Sequence, residues 1–270
     1  MSRDTRWTST DLERLSEPLG RLLDVALERE RVAEQAADAE AAKRADVART
    51  AILHAISHDL RSPLTAITTA GAALRDRGIT EAERGELLDA IEEEGARLAR
   101  LVGDLLDLSK IEAGAVAPRQ DWCDLHDAIS SAVAQLHTTY AIDFRVPADL
   151  PLVRADAAQL ERVFSNLIEN AIKHSRDGEP VTITGGVGSG RVTVRVIDRG
   201  RGIPASDRAR VFEPFFRGRR DTGSGSGLGL AICRGFVEAN GGQIVLQSAH
   251  GPGASFAVSF PLVKQPEAVT

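Results

Sequence analysis

The sequence predicts an α+β chain: a helical hairpin followed by an α/β sandwich with a mostly antiparallel sheet. Three observations carry that reading. No glycine occurs from Arg21 to Ala70, and the stretch is rich in Ala, Glu, Arg and Leu, the strong helix formers. The small residues Gly114 to Pro118 then mark a linker. Beyond them strands and helices mix without strict βαβ alternation, which fits a sheet covered by helices.

In the first region apolar residues recur at heptad-like spacing, at Leu22, Ala26, Ala33, Ala36 and Val47. Arg29, Glu40 and Lys43 interrupt that seam, so packing against a partner helix should be thin. Pro63 removes a backbone donor. It should kink the helix and not end it, because apolar spacing resumes at Leu64, Ile67 and Leu74. Arg75 to Gly78 reads as a turn. Thr80 with Glu83 makes a capping box, which starts a second helix near Glu81. That helix runs through Leu87, Leu88, Ile91, Leu98, Leu101, Leu105 and Leu108 to about Ala113. One hairpin has too little core to stand alone. Two hairpins from two chains make a four-helix bundle, so a homodimer is expected.

After the linker, Leu125 to His137 looks helical and Ile142 to Val146 looks like a strand. Asp156 is a good N-cap for a helix ending near His174. Val181–Val187 and Arg191–Ile197 alternate around Gly188-Ser189-Gly190, a hairpin signal. Residues 199–227 read as a long loop, Leu228–Ala239 as a helix, and Gln243–Ser248 and Ser255–Phe260 as closing strands. The expected divisions are an N-terminal helical segment over 1–46, the hairpin over 47–114, the sandwich over 119–263 and a tail over 264–270.

Composition narrows the function. The 270 residues are 43% hydrophobic and carry a formal charge of −6, which fits a globular chain and gives no sign of a nucleic-acid binder. The two cysteines, Cys123 and Cys233, lie far apart and form no metal-type pair, so a reduced, cytoplasmic setting is expected. Residues 1–20 lack the apolar centre of a signal peptide, and no run reads as a membrane span.

Four segments carry chemistry. His58 lies two residues past Ile56, about 200° round the helix and so away from the apolar face. Near neutral pH an imidazole is mostly uncharged and nucleophilic. Asp59 beside it could accept a hydrogen bond from one ring nitrogen and sharpen the other. Taken alone, an ordinary surface His-Asp pair explains this equally. Asn166 and Asn170 share a helix face, with Lys173 on the same side. Amide oxygens suit a hard cation such as Mg²⁺, and an ammonium suits phosphate; the plainer reading is a polar stripe. Asp198 at a strand end, followed by Gly200 and Gly202, could accept from an adenine amino group, or could be a tight turn. Gly223, Gly225, Gly227 and Gly229, with Leu228, lead into a helix whose exposed amides and dipole would attract phosphate. There is no GxxxxGK[ST] and no G-x-G-x-x-G opening a βαβ unit.

In this order the segments resemble those of the sensor histidine kinases of two-component systems. Ser57–Leu64 resembles the H box, Asn166–His174 the N box and Asp198–Ile203 the first glycine box. Phe212–Arg217 resembles the F box and Gly225–Leu230 the second glycine box. The likeness runs roughly from Val47 to Pro261, and five boxes in order are highly specific. It implies a dimerisation and phosphotransfer bundle followed by an ATP-binding domain whose fold is shared by gyrase and a heat-shock chaperone. His58 would be the phosphoacceptor and Asp59 its activating base. Asn170 would hold Mg²⁺, with Asn166 and Lys173 near the phosphates and His174 among the nucleotide-binding residues. Asp198 would hold the adenine of ATP. Gly200, Gly202, Gly225, Gly227, Leu228 and Gly229 would shape the pocket, with Phe212 in the lid and Arg217 a lid cation near the γ-phosphate. The partner implied is the receiver domain of a response regulator.

Two positions depart from the pattern. Asp59 stands where Glu is common, one methylene shorter. Ser62 stands where Thr or Asn is common in members that also dephosphorylate their partner, and it keeps the hydroxyl. The H box and Gly227–Gly242 lean towards the potassium-sensor KdpD subgroup, and Glu17–Val32 resembles the exit helix of a sensor domain. An ATPase machine of the gyrase kind would share the glycine boxes but commonly has glutamate at the Asn166 position. A scaffold that has lost catalysis would lack Asn170, Asp198 or the second glycine box, and this chain has all three.

Overall fold

A computed structural model describes residues 28–31, 40, 56, 57, 59–76, 78–136, 138–176, 178–218, 225–248 and 253–263. The chain divides into two compact units, residues 1–58 and 59–270. Most of the first unit, including the seam residues Leu22, Ala26, Ala33, Ala36 and Val47, lies outside the described residues. Arg29 and Glu40, which interrupt the seam, are helical and exposed.

The second unit opens with helix α1 over 59–73, continuous through Pro63. Helix α2, Glu81–Glu112, follows after a short turn. Its capping box forms as the sequence implies. The Glu83 amide donates to Thr80 Oγ1 at 3.2 Å, and the Thr80 amide donates to Glu83 Oε2 at 2.8 Å. Pro63, Ala70, Leu101 and Leu108 are the hairpin's buried residues.

The sandwich holds β1 (Asp121–Cys123), α3 (Leu125–Gln135), β2 (Ile142–Arg145), β3 (Val153–Ala155), α4 (Ala157–His174), β4 (Val181–Gly188), β5 (Arg191–Ile197), α5 (Gly229–Ala239), β6 (Gln243–Ser248) and β7 (Ala254–Pro261). The main sheet has the order β2-β4-β5-β7-β6. Only β2 and β4 run parallel in it. The turn at Ser189 and Gly190 has positive φ at both residues, 52° and 71°. That twist lets β4 feed directly into β5. Alternation places Val192, Val194 and Val196 of β5 in the core with Phe256, Val258 and Phe260 of β7. Helices α4 and α5 bring Leu160, Val163, Phe164, Leu167, Ile232 and Val237 to the same core.

The strands β1 and β3 pair antiparallel in a small second sheet that the sequence does not announce. Three residues are too few to show alternation, and their partners lie thirty or more positions away.

Candidate nucleotide site

Helix α4 starts where Asp156 accepts a hydrogen bond from the Gln159 amide at 3.2 Å. The start is fixed a second time. Asn240, only 3% exposed, accepts from the Asp156 amide at 2.7 Å. Its amide nitrogen donates to Gln159 Oε1 and to the Phe236 carbonyl, each at 2.8 Å. Asn240 follows α5, so this network ties the end of α5 to the start of α4. The helix then turns Leu160, Val163, Phe164, Leu167 and Ile168 inward. Asn166 and Asn170 are left half-buried and Lys173 exposed on the opposite stripe.

Asn166 faces the beginning of α5. A Cβ at Gly229 would stand 3.6 Å from the Asn166 side chain. The Asn166 side chain lies against Cys233 of α5, within hydrogen-bonding reach of its sulfur. Lys173 reaches the glycine-rich turn, where a Cβ at Gly225 would lie 3.1 Å from its Nζ. Helix α5 begins at Gly229 after the N-cap residue Leu228, which makes no side-chain cap, so its first amides have no acceptor from a capping residue. Leu228 itself is fully buried and anchors the helix start. Beneath it the Cys233 thiol donates to the Val163 carbonyl at 3.5 Å, and burial pushes its pKa upward. It is a packed thiol.

The other wall is the turn after β5. Asp198 is 4% exposed. Its Oδ1 accepts from the Gly200 amide at 2.9 Å and the Ala254 amide at 3.1 Å. The carboxylate is thereby aimed by two backbone donors at fixed places. The glycines are steric necessities here. A Cβ at Gly200 would collide with the carbonyl of His174, which brings the end of α4 against the Asp198 turn. Gly202 has φ +69°, and a Cβ there would lie 2.9 Å from the Gly253 carbonyl oxygen. Gly253 and Ala254 escaped the sequence reading. The one available signal was a glycine just before an alternating strand.

Residues Phe212 to Phe216 are pinned to this frame. Phe212 packs edge-on against Phe256 of β7, with centroids 6.1 Å apart. The Phe215 amide donates to the Gly227 carbonyl at 3.0 Å. Gly227 takes φ +71°, where a Cβ would press 2.9 Å from the Phe215 backbone. Phe215 itself sits at φ +61°, an uncommon place for a bulky residue. Arg217 is exposed and lines a pocket of about 290 Å³ with Arg210, Glu213 and Phe216.

The structure thus brings Asn166, Lys173, Gly225 and Gly229 together, and His174, Asp198, Gly200, Gly202 and Gly253 beside them. His58 lies outside the described residues. Asp59 is half-buried and Ser62 exposed on α1.

Residues 48–114 match the family of the His Kinase A (phospho-acceptor) domain. Residues 155–264 match the family of histidine kinase-, DNA gyrase B- and HSP90-like ATPases. The chain belongs to the sensor histidine kinases. Both matches together cover well over half of it. The sensor protein KdpD of Mycobacterium tuberculosis (strain CDC 1551 / Oshkosh) is 38% identical over 240 residues, which span 85% of this chain and 28% of that protein. The chain therefore corresponds to less than a third of that relative's length. The structure resembles full-length ShkA in complex with AMPPNP, with a TM-score of 0.59 and 26% identity over 77% of this chain and 45% of that one. The histidine kinase ThkA in complex with the response regulator TrrA has the same fold, with a TM-score of 0.58 and 22% identity over 77% of this chain and 60% of ThkA. No described helix of this sensor histidine kinase is long and apolar enough to cross a membrane.

Proposed function

We propose that this kinase takes the γ-phosphoryl group of ATP onto His58 and passes it to an aspartate of a response regulator's receiver domain. It would act as a cytoplasmic homodimer joined through the α1–α2 hairpin. The observation that carries the reading is the order of the two family matches. A phosphoacceptor region containing His58 precedes an ATPase region containing the Asp198 turn and the α4–α5 cleft.

Each residue has a physical task in that reaction. The Asp198 carboxylate, held by two amides, accepts from the adenine amino group and sets the depth of the base. Gly200 and Gly202 let the backbone lie against the ring. The uncapped amides of α5 and the Lys173 ammonium meet phosphate oxygens. Mg²⁺, when bound, neutralises charge on the phosphates; the Asn170 amide oxygen is a ligand of the hard type it takes. Asp59 orients the His58 ring, and a ring nitrogen attacks the γ-phosphorus in line as the bond to ADP breaks. Arg217 would close on the γ-phosphate with the lid. The Ser62 hydroxyl is suited to orienting water for removal of the phosphoryl group from the regulator.

The test is autophosphorylation with γ-labelled ATP and Mg²⁺, comparing wild type with His58→Ala and Asn170→Ala. Acid-labile label that requires both residues is expected, because a phosphoramidate is lost in acid. Label indifferent to His58 overturns the reading. The transfer step is read by chasing that label into a purified receiver domain.

A further inference from the structure

The turn that follows α4 is braced by a side chain that the phosphotransfer chemistry above leaves unused. From Arg176 to Glu179 the chain closes on itself: the Glu179 amide donates to the Arg176 carbonyl at 3.1 Å, and Gly178 takes φ +82°. The Tyr140 hydroxyl lies 3.0 Å from the Arg176 carbonyl oxygen and 2.8 Å from that of Glu179. A phenol has one proton to donate, so the two carbonyls share it. The Tyr140 ring is half-buried and packs against the sandwich core. Beside it the Ala141 carbonyl accepts from the Val181 amide at 3.1 Å, where β2 and β4 come together. The turn is thereby fastened to the sheet at the β2–β4 pair.

The same turn reaches the Asp198 loop by two routes. Glu179 Oε2 lies 3.3 Å from Nη1 of Arg199, the residue after Asp198. Both side chains of that pair are exposed, so its own contribution is small. The second route is main chain. The His174 carbonyl, at the end of α4, closes against Gly200 so tightly that a Cβ there would collide with it. The Gly200 amide in turn donates to Asp198 Oδ1 at 2.9 Å. Packed atoms transmit displacement, so a shift of the turn after α4 reaches the Asp198 carboxylate through one residue.

We propose that the Tyr140 hydroxyl is a positioning group for the adenine end of the nucleotide site. It holds the turn after α4, and that turn, through Glu179 and the His174 carbonyl, holds the Asp198 carboxylate where the amino group of the base meets it. The inference rests on the ATP reading above. The brace bears on base recognition and not on phosphoryl transfer, because it acts on the Gly200 side of Asp198. The phosphate-facing amides belong to α5, which starts from the fully buried Leu228.

The experiment uses the full chain as wild type, Tyr140→Phe and Glu179→Lys. Each is given ATP or the triphosphate of purine riboside, whose base lacks the amino group. Tyr140→Phe keeps the packed ring and removes only the hydroxyl. Glu179→Lys sets two like charges against each other at Arg199. Calorimetry reads binding, and initial rates read labelling of His58. Tyr140→Phe is expected to raise Kd and KM for ATP roughly threefold to tenfold, with the rate at saturating ATP unchanged. Glu179→Lys should raise Kd for ATP roughly twofold to fivefold. Both variants should bind the amino-free nucleotide as wild type does. Unchanged affinity for ATP in either variant overturns the proposal. So does an equal loss with both nucleotides, which is what a general loosening of the fold would give, and so does a fall in the saturating rate. Wild type that binds the two nucleotides equally overturns the adenine contact of Asp198 itself. Wild type that takes no label overturns the kinase reading, and the binding comparison alone then decides the role of Tyr140.

Discussion

Phe164, Leu167 and Ile232 in the sandwich have none of their surface exposed, whereas Leu64 and Leu106 of the hairpin keep 53% and 58% of theirs. Leu88 and Val102 add to that exposed set, at 48% and 44%. A sheet with helices on it completes its core within one chain. Two helices offer each other one stripe apiece and leave the next stripe in water. The sandwich can thus hold a fixed nucleotide pocket alone. The hairpin is an unfinished core, which a second copy would complete as a four-helix bundle.

The comparison breaks most visibly at Leu167. Truncation to Ala leaves a cavity in a closed core and should cost about 2–5 kcal/mol. Denaturant unfolding of the whole chain should show a lower midpoint, and nucleotide affinity should fall with it. A loss below about 1 kcal/mol would mean that the site relaxes and the core is looser than its burial implies.

Leu106 sharpens the other half. Leu106→Glu should leave the sandwich intact and separate the copies. Two side chains, each contributing about 1.5–3 kcal/mol when buried, are lost from a symmetric interface. Sedimentation should show a dimer dissociation constant raised by roughly a hundredfold or more. Nucleotide affinity should stay at the wild-type value.

Asp198→Asn keeps the folding role of this residue and removes its charge. An amide oxygen can still accept from Gly200 and Ala254, so unfolding should barely move. The proposed contact with an adenine amino group would lose a charged acceptor, about 1.5–3 kcal/mol. That is roughly a tenfold to hundredfold weaker Kd for ATP, measured by calorimetry. Equal affinity would remove Asp198 from the adenine contact.

What the sequence made legible follows the range of each interaction. The capping box at Thr80, the span of α4 from Asp156 to His174, and the turn at Ser189-Gly190 all rest on contacts within a few residues. So does the placing of Asn166, Asn170 and Lys173 on one stripe. The strands β1 and β3 could not be read, because Asp121 finds its partner at Ala155. Arg162 meets Asp104 across 58 positions, and on each helix it looks like ordinary surface charge. Asp198 was singled out as a ligand contact. Its structural role, holding the Ala254 amide from 56 positions away, needed the sheet order to bring β7 beside β5.

The smallest effect concerns the start of α2 and tests whether the hairpin's stability is local. Hydrogen bonds from the Thr80 backbone and hydroxyl hold the Glu83 carboxyl below its usual value of 4.5. The folded pKa is the lower one, so this contribution is fully present above the unfolded value and is lost as pH falls through the folded value. Glu83→Gln retains the geometry without the charge. Its thermal midpoint should lie slightly below that of wild type at pH 7, and the two should converge once the pH is well under the ordinary glutamate range. Nucleotide affinity should be identical in both at every pH, because the capping box touches only the first turn of α2. A gap that persists in acid would show that the neutral side chain carries the cap, and that the charge of Glu83 contributes nothing to the hairpin.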